Sequence, residues 1–428
     1  MVSKHRHTSR RTLLAAVAST SAVGIAGCLG DDDEATDDSP DDDDAPPAAD
    51  DDDAVDQTDD ADDDEQTADE TEEIVIEPIV EDLSYPWGLE LVPDESLLLV
   101  TERTGELRTV DLGDGSTTSV GGIPAVDDSG QGGLLDLALH PAFPEESWLY
   151  LTYVATNDAG ERATHLGRGE LSLEANELES FEELAIAEPF LDGTGHFGSR
   201  VVFDGDGQLY MTSGDRRVSN YDEDHPSQDR SNAIGATLRF EPDGSIPDDN
   251  PFIEDDEALD ALYSYGHRNS QGMTVHPETD DIWQSEHGEE DGDELNIIEA
   301  GGNYGWPIAH YGCYYGTDDP VGEEPGERDD IVDPVYYWEC GTGGFPPAGM
   351  TFYDGDAFPE WQGDLFVGNL AGRYLGHSSV SGTDVEEQEP LLEGEGWRIR
   401  DVIVEAEAGN LIVAVDDAPA PLVRISPA

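Results

Sequence analysis

The sequence predicts an all-β fold, a six-bladed β-propeller, over residues 74–428. Helical periodicity is almost absent from this region, and short apolar runs alternate with turns rich in Gly, Asp and Pro, as in β-structure. One hairpin pattern occurs six times, with starts 47, 65, 71, 78 and 51 residues apart. Repeats of this size, with about four strands each, are typical of propeller blades. An array of β-sandwiches is the alternative, but it does not require the same hairpin six times.

Each predicted hairpin consists of two apolar strands joined by a turn that contains Pro, Asp or Gly. In order along the chain, the six hairpins span Gly88–Thr101, Leu135–Tyr153, Arg200–Thr212, Gln271–Ser285, Gly349–Gly368 and Arg400–Val415. We expect a signal peptide and a disordered acidic linker to precede the propeller.

The charge of the chain excludes partners that are themselves polyanions. The sequence has 100 acidic residues against 19 Lys and Arg, for a net charge of −81. Nucleic acid and anionic lipid headgroups need clustered basic residues, so neither is expected as an electrostatic partner. Residues 74–428 alone hold 75 acids and 15 arginines, or −60, and Lys4 is the only lysine. A folded domain repels itself strongly at such a charge, which favours a halophilic protein over a merely acidic secreted one.

We expect the fold to depend on salt. At about 1 M salt the Debye length is only about 3 Å, so the self-repulsion of the domain is screened. Dialysis into low salt should therefore unfold the protein, which circular dichroism would follow. A spectrum that persists unchanged in low salt would refute the halophile hypothesis.

Residues 1–28 have the features of an export signal. Ser9-Arg10-Arg11-Thr12-Leu13-Leu14 is a twin-arginine motif, and the apolar or small run Leu13–Gly27 that follows is too short for a membrane span of about 20 residues. The run ends at Ile25-Ala26-Gly27-Cys28, which resembles a lipobox. A lipid on Cys28 would anchor the protein to the outer face of the cell membrane, with the domain extracellular. An incidental cysteine beside a simple cleavage site is the alternative.

Residues 29–73 are predicted to be a disordered, Asp-rich linker. Residues 31–73 carry 25 acids, no basic residue and no aromatic residue. Such a segment cannot bury enough apolar surface to offset the entropy of ordering, and its charges extend it. We interpret it as a stalk that lifts the domain off the membrane.

Polar residues that flank the hairpins should meet at one end of the propeller. Residues just before the first strand and just after the second strand of a hairpin lie at the same open end. His196 precedes the third hairpin and Asp215 follows it, so the two should touch. Since all blades point the same way, other flanking residues should gather on that rim: Gln131, Arg268, Asn269, Glu286, His287, Gly288, Arg398 and Arg400.

This rim has the chemistry of a catalytic site for an anionic ligand. A His backed by an Asp is a general base with a fixed tautomer. Arginine forks suit carboxylates, so Arg268, Arg398 and Arg400 together predict a pocket for a polyanion. Taken singly, each residue also has a structural interpretation as a rim hydrogen-bonder, a turn residue or a salt-bridge partner.

Two further features leave alternatives open. The acidic run Gly288–Glu294 could bind Ca²⁺, which takes oxygen ligands, but acids are so frequent here that such runs arise by composition. Cys313 and Cys340 could form a disulfide outside the cytoplasm, although their spacing alone does not establish it.

Four motifs, in the right order, resemble the soluble pyrroloquinoline quinone (PQQ)-dependent glucose and aldose sugar dehydrogenases. The resemblance covers roughly residues 80–428, and that family is a six-bladed propeller, in agreement with the hairpin count. The motifs are GQGGLLDLALHP (130–141), GHRNSQG (266–272), EHG followed by GDELN (286–296) and GGNYGWP (301–307).

The resemblance implies catalytic roles. His196 would take the proton from the sugar C1 hydroxyl while a hydride passes to C5 of PQQ, which yields the lactone. Asp215 would support His196. Arg268 would hold the quinone end and stabilise its developing oxyanion. An external acceptor would then take the electrons.

The resemblance also implies ligands for the cofactors. Asn269 would help to hold the quinone end of PQQ, while Gln131, Arg398 and Arg400 would hold the rest of this tricarboxylate. A Ca²⁺ would lie against PQQ on the backbone carbonyls of Gly288 and Glu289. Glu294 and Tyr304 match a second, structural calcium site of the family.

One departure from the family concerns a lysine that the glucose dehydrogenase branch places on PQQ. In Asn369-Leu370-Ala371-Gly372-Arg373, Ala371 stands where that lysine would fall. Arg373 is the nearby cation that could reach the cofactor. The sequence therefore resembles the broad aldose dehydrogenase branch more than the glucose-specific one.

Two other classes of function remain open at this stage. A PQQ-free propeller that acts as a binding module would not need His196, Asp215 and three rim arginines together. A Ca²⁺-dependent lactonase or similar hydrolase would need carboxylates around a metal in the central channel.

Overall fold

The computed structural model describes residues 74–428 except Asp94 and Glu407, and this part of the chain confirms the all-β six-bladed propeller. Each blade is a four-stranded antiparallel sheet. In chain order, blade 1 contains β2–β5 (Pro86–Leu91, Leu97–Glu102, Glu106–Asp111, Thr117–Val120), blade 2 β6–β9 (Leu134–Leu139, Trp148–Thr156, Arg162–Ser172, Glu177–Ile186) and blade 3 β10–β13 (Val201–Phe203, Leu209–Ser213, Ala236–Phe240, Leu262–Tyr265).

Of the other three blades, blade 4 is interrupted by a two-stranded insertion, and blade 6 includes the first described strand of the domain. Blade 4 contains β14, β15, β16 and β19 (Asn269–Val275, Ile282–His287, Glu294–Ile297, Tyr336–Tyr337), with the two-stranded insertion β17 and β18 (Ala309–Cys313, Pro320–Gly322) between its last two strands. Blade 5 contains β20–β23 (Pro347–Phe352, Leu365–Asn369, Leu375–Ser381, Asp384–Glu387), and blade 6 contains β24–β26 and β1 (Ile399–Val404, Leu411–Val415, Ala420–Pro427, Ile74–Leu83). Short 3-10 turns occur at Pro226–Gln228, Pro325–Glu327, Pro359–Trp361 and Glu393–Glu395.

The ring closes through strand β1. This strand pairs antiparallel with β26, for example Ile76 with Ile425, so the first described strand completes the last blade. The first strand of each blade also packs against the first strand of a neighbouring blade, including β24 against β2. These first strands therefore surround the central channel, and every blade sits between two others.

Apolar clusters hold neighbouring blades together. The cluster between blades 1 and 2, for example, contains Leu99 and Leu134, and the cluster between blades 5 and 6 contains Phe366 and Val413. Four further clusters join the remaining blade pairs. Full burial of one such side chain stabilises the fold by roughly 1.5–3 kcal/mol. The rim residues are thus mounted on a rigid scaffold.

A buried ion cluster lies in the central channel. The Arg200 guanidinium is 3.1 Å from an oxygen of Asp136 and 3.2 Å from an oxygen of Asp401. It also lies 4.2 Å from the centroid of the Trp87 ring. Because these residues belong to blades 1, 2, 3 and 6, the cluster joins four blades at the axis.

Cys313 and Cys340, whose pairing the sequence left open, form a disulfide with 5.8 Å between the two Cα atoms. It ties the β17–β18 insertion to the segment that follows β19. The predicted signal peptide, lipobox cysteine Cys28 and linker 29–73 lie outside the described residues. Within the described part of the chain, no helix is long and apolar enough to cross a membrane.

Candidate active site

The predicted His196–Asp215 pair is present at one end of the third blade. His196 Nδ1 lies 2.7 Å from Asp215 Oδ1, and both side chains are buried. Burial alone would raise the pKa of Asp215, but the neighbouring His196, with Arg268 nearby, holds that pKa below its usual value. The carboxylate is therefore ionised at neutral pH and accepts the Nδ1 proton, which leaves Nε2 as the basic nitrogen of the imidazole.

The backbone at His196 is strained and held from both sides. Its φ of +52° is in the left-handed region, which costs a non-glycine residue about 1–3 kcal/mol. Gln131 Oε1 accepts its N–H at 2.7 Å, and Arg216 Nη1 donates to its carbonyl at 2.9 Å. A Cβ on Gly214 would lie 2.3 Å from the same carbonyl oxygen, so glycine is required there. The fold thus maintains an unfavourable conformation that aims the imidazole.

Arg268 and Asn269 lie beside the pair, as predicted. The carbonyl of Arg268 accepts the N–H of Asp215 at 2.7 Å, and Asn269 Oδ1 accepts the N–H of Gly198 at 3.1 Å. The Arg268 guanidinium forms an ion pair with Glu289 at 2.8 Å. Blades 3 and 4 are therefore connected by hydrogen bonds next to the His196–Asp215 pair.

A cavity of about 510 Å³ opens on the same rim. This volume is within the range of roughly 300–1,000 Å³ typical of cofactor and ligand pockets. Gln131, which also binds the backbone of His196, lines this rim cavity, so the base and the cavity adjoin. Its other lining residues are Tyr85, Arg103, Gly130, Arg373, Gly396, Trp397, Arg398, Val415, Asp416 and Asp417.

The predicted arginines of blade 6 occupy different depths. Arg398 lines the rim cavity and lies 3.3 Å from Asp416. Arg400 is not among the lining residues. It is buried in the channel wall, where it lies 2.9 Å from Asp416 and donates to Gln271 Oε1 at 2.6 Å. Since Arg400 lies on strand β24, its side chain belongs to the wall beneath the rim.

The residues predicted to bind calcium belong to two separate sites, Gly288 with Glu289 and Glu294 with Tyr304. The Glu289 side chain accepts from Arg268 and, at 2.6 Å, from the Tyr221 hydroxyl, so only its backbone carbonyl is available in the predicted way. The Tyr304 hydroxyl donates to the Ile297 carbonyl at 2.6 Å and has no described hydrogen bond to Glu294. Over the described residues, no three or more His, Cys, Asp or Glu side chains converge as a metal site.

Glu294 has the properties of a calcium ligand. Burial, and then the nearby Glu286, raise its pKa well above the usual value. Within the described residues, Glu294 Oε1 and the buried Asn296 Oδ1 lack a hydrogen-bond partner. Burying an unpaired oxygen is costly, and oxygen atoms are the ligands that Ca²⁺ takes. The nearby His310 Nε2 lies 3.8 Å from Glu294 Oε1, beyond hydrogen-bond distance. Glu294 and Asn296 thus fit Ca²⁺, while the Tyr304 side chain does not.

The rim cavity fits a planar polycarboxylate such as PQQ. Arg103, Arg373 and Arg398 supply three guanidinium groups in a domain whose net charge is strongly negative. Two amide groups at this rim, Gln131 Nε2 and Asn269 Nδ2, are buried without a partner among the described residues. Buried donors without acceptors point to a missing acceptor-rich ligand. Arg373 also places a cation near the family lysine position that Ala371 occupies.

Sequence reasoning missed several residues of this site. Arg103 lies two residues after the first hairpin and Asp416 directly follows the sixth, so the hairpin geometry that located Asp215 could also have located these two residues. Trp306 was noted only as part of a motif, yet its indole N–H donates to Asp215 Oδ2 at 2.8 Å. No local pattern indicates that contact, because the two residues are 91 positions apart.

A propeller that combines a buried His–Asp pair with an arginine-lined rim cavity has the groups that base catalysis and the binding of an anion require. A family model described as Glucose / Sorbosone dehydrogenase matches residues 83–424. The chain belongs to this glucose/sorbosone dehydrogenase family. The family match and the relatives described below place it among the sugar dehydrogenase oxidoreductases, which act on small-molecule sugars.

Individual relatives support this assignment. The chain is 38% identical over 356 residues to the aldose sugar dehydrogenase YliI of Escherichia coli (strain K12), covering 82% of this chain and 92% of that one. The apo-form structure of the soluble E. coli aldose sugar dehydrogenase matches with a TM-score of 0.77 and 36% identity over 83% of this chain and all of that one, 100%. The PQQ-bound aldose sugar dehydrogenase of Streptomyces coelicolor matches with a TM-score of 0.67 and 27% identity, covering 83% and 98%.

Proposed function

We propose that the protein oxidises the C1 hydroxyl of an aldose to the lactone in a reaction that depends on PQQ and Ca²⁺, and passes the electrons to an external acceptor. The observation that carries the proposal is the adjacency of the His196–Asp215 pair and the rim cavity, which share Gln131. When bound, PQQ supplies a two-electron acceptor, and Ca²⁺ beside it supplies a Lewis acid.

His196 is the base in this proposal. Its Nδ1 proton is donated to Asp215, so Nε2 accepts the proton of the sugar C1 hydroxyl. The imidazolium formed in this step is stabilised by the ionised Asp215 at 2.7 Å. The C1 hydrogen leaves as hydride, so the substrate loses two electrons and two hydrogens in all.

The arginines bind and orient the anionic cofactor. Arg103, Arg373 and Arg398 lie around the rim cavity and suit carboxylates, while Arg268 lies next to the base. Arg400 lies beneath the rim cavity and contributes indirectly, because it pairs with Asp416, which lines that cavity. The backbone carbonyls of Gly288 and Glu289 are the proposed ligands of the Ca²⁺ beside PQQ, and the side chain of Glu294 is a proposed ligand of the second, structural Ca²⁺.

The hydrolase alternative is disfavoured by the central channel. A lactonase-type metal site would need the carboxylates of the channel for the metal. Here Asp136 and Asp401 are instead paired with Arg200, whose positive charge would repel a cation from this position. The dye-reduction assay described next distinguishes the binding-module alternative from the dehydrogenase.

The test combines purified apo-protein in high salt with PQQ, Ca²⁺, an aldose and an artificial electron acceptor. We expect dye reduction that requires both PQQ and the sugar, that is lost with a chelator and that returns with Ca²⁺. Bound PQQ without turnover would refute the dehydrogenase proposal. The absence of both turnover and bound quinone would favour a binding module.

Arg398→Gln is expected to weaken PQQ binding with little effect on kcat at saturating PQQ. A hydrogen bond to a charged group contributes roughly 1.5–3 kcal/mol, so the Kd should rise by roughly 10–100-fold. An absorbance titration in high salt measures it. Arg424→Gln is the matched control, because Arg424 pairs with Glu405 at 2.9 Å on the last strand and does not line the rim cavity. Equal Kd values for the two variants would contradict the assignment.

The location of the protein is part of the same proposal. We place the domain outside the cell, tethered through the 29–73 linker and a lipid on Cys28. Mass spectrometry of the mature protein from membranes should find the lipid on an N-terminal Cys28. A mature chain that begins elsewhere would refute the anchor.

A further inference from the structure

The GGNYGWP motif positions one indole ring against the catalytic pair. Trp306 is 1% exposed, and its Nε1–H donates to Asp215 Oδ2 at 2.8 Å. The pair itself belongs to blade 3, whereas Trp306 follows strand β16 of blade 4. The indole therefore reaches across a blade boundary to the carboxylate behind the base.

Trp306 completes the set of donors around Asp215. The other carboxylate oxygen, Oδ1, accepts from His196 Nδ1 at 2.7 Å and from the N–H of Arg217 at 2.8 Å. With Trp306 on Oδ2, donors on both oxygens prevent the carboxylate from rotating about its Cβ–Cγ bond. The direction of the His196 hydrogen bond, and hence the imidazole tautomer, depends on that orientation.

The backbone of Trp306 is itself fixed by the rest of the motif. Its N–H donates to the Gly266 carbonyl at 2.8 Å, and its carbonyl accepts from Gln228 Nε2 at 2.7 Å. Asn303 donates to Gln228 Oε1 at 2.8 Å. Gly305 has a φ of +89°, and a Cβ there would lie 2.5 Å from the Ala309 carbonyl oxygen. These contacts fix the backbone from which the indole extends.

The same ring contacts the cation of the site. Arg268 Cζ lies 5.2 Å from the Trp306 ring centroid, within the range of a cation–π interaction. One indole thus contacts both the carboxylate behind the base and the arginine beside it.

We infer that Trp306 is a positioning residue for the proton transfer: its indole N–H holds Asp215 so that His196 keeps its proton on Nδ1 and accepts the substrate proton on Nε2. The inference rests on the proposed function for its catalytic meaning. The hydrogen-bond geometry that it describes exists without the cofactor, so it can be tested on the apo-protein.

The test uses Trp306→Phe, which keeps an aromatic ring and removes the N–H. The matched control is Trp283→Phe, because Trp283 is also 1% exposed but its Nε1 has no partner within the described residues. In ¹⁵N-histidine-labelled apo-protein, with His196 assigned by its loss in His196→Gln, the wild type and the control should show the Nδ1–H tautomer. Trp306→Phe should show mixed tautomers or an exchange-broadened Nδ1 proton.

Kinetics on the PQQ-loaded protein supply the second readout. A misplacement of about 1 Å can cost about 10²-fold in rate, so kcat of Trp306→Phe should fall by about 10–100-fold while the Kd for PQQ stays unchanged. An unaltered His196 spectrum, or wild-type kcat, in Trp306→Phe would overturn the inference. If the wild type oxidises no aldose, the proposed function fails, while the spectrum still decides the role of Trp306 in setting the tautomer.

A measurement that leaves Trp306 in place decides the question if Trp306→Phe does not fold. The indole N–H of Trp306 should exchange slowly with D₂O, and its resonance should move in Asp215→Asn while that of Trp283 does not. An indole proton that does not respond to Asp215→Asn would overturn the inference.

Discussion

His196→Ala is expected to abolish turnover while the protein still binds PQQ. A positioned general base contributes roughly 10²–10⁴-fold to rate, and no other described imidazole accepts from or donates to Asp215. The variant keeps Arg398, Arg103 and Arg373 around the rim cavity, so the cofactor should bind with wild-type affinity. Stopped-flow reduction of bound PQQ by sugar measures the step itself.

The control for this variant is a histidine on the neighbouring blade 2. His140 lies in the turn between β6 and β7, at the opposite end of its hairpin from the rim, and accepts the N–H of Ala142 at 3.1 Å. His140→Ala should therefore reduce PQQ at the wild-type rate. If His196→Ala also reduced PQQ at that rate, the assignment of the base would be wrong.

Arg200→Met is expected to destabilise the fold by about 3–5 kcal/mol at pH 8, because it leaves Asp136 and Asp401 as buried charges without their partner. Burial raises the pKa of Asp136 to about 6 and also raises that of Asp401, although Arg200 opposes both shifts. Urea unfolding in high salt measures the free energy of unfolding.

The pH dependence of the stability of Arg200→Met follows from the direction in which the pKa values of Asp136 and Asp401 are shifted. A carboxylate whose pKa is raised in the folded state holds its proton there longer than in the unfolded state. Its contribution to stability is therefore present at low pH and is lost as the pH rises from about 4 through about 6. Removing Arg200 raises both pKa values further, so the loss in Arg200→Met should be smaller at pH 5 than at pH 8.

An exposed ion pair provides the comparison for Arg200. Arg328 lies 2.9 Å from Asp330, and the Asp330 side chain is 66% exposed. Arg328→Met should change stability by no more than about 1 kcal/mol. A loss for Arg200→Met that is equally small would show that the channel cluster does not hold the blades together. A loss that is equal at pH 5 and pH 8 would show that it does not come from the ionised carboxylates.

The sequence predicted those parts of the fold that repeat. The same hairpin six times indicates six blades, and the 78-residue spacing after the fourth start is explained by the β17–β18 insertion and its disulfide. Closure of the ring by β1 on β26 was not predicted. Pairing between strands more than 300 residues apart leaves no local pattern, since any apolar alternating strand could fill that place.

The site was predictable where it follows from hairpin geometry. His196 and Asp215 meet because they flank one hairpin. Arg400 was expected at the rim and lies in the wall beneath it, because its position inside strand β24 directs the side chain by strand alternation rather than by the loop. The contact between Trp306 and Asp215 depends on how two blades pack, which a single sequence does not show.

A crystal structure of the protein with PQQ and Ca²⁺ would show whether the cofactor occupies the rim cavity. We expect PQQ there, with its carboxylates on Arg103, Arg373 and Arg398 and its quinone end beside Arg268 and His196. PQQ bound at another face of the propeller, or with its quinone end turned away from His196, would contradict this expectation.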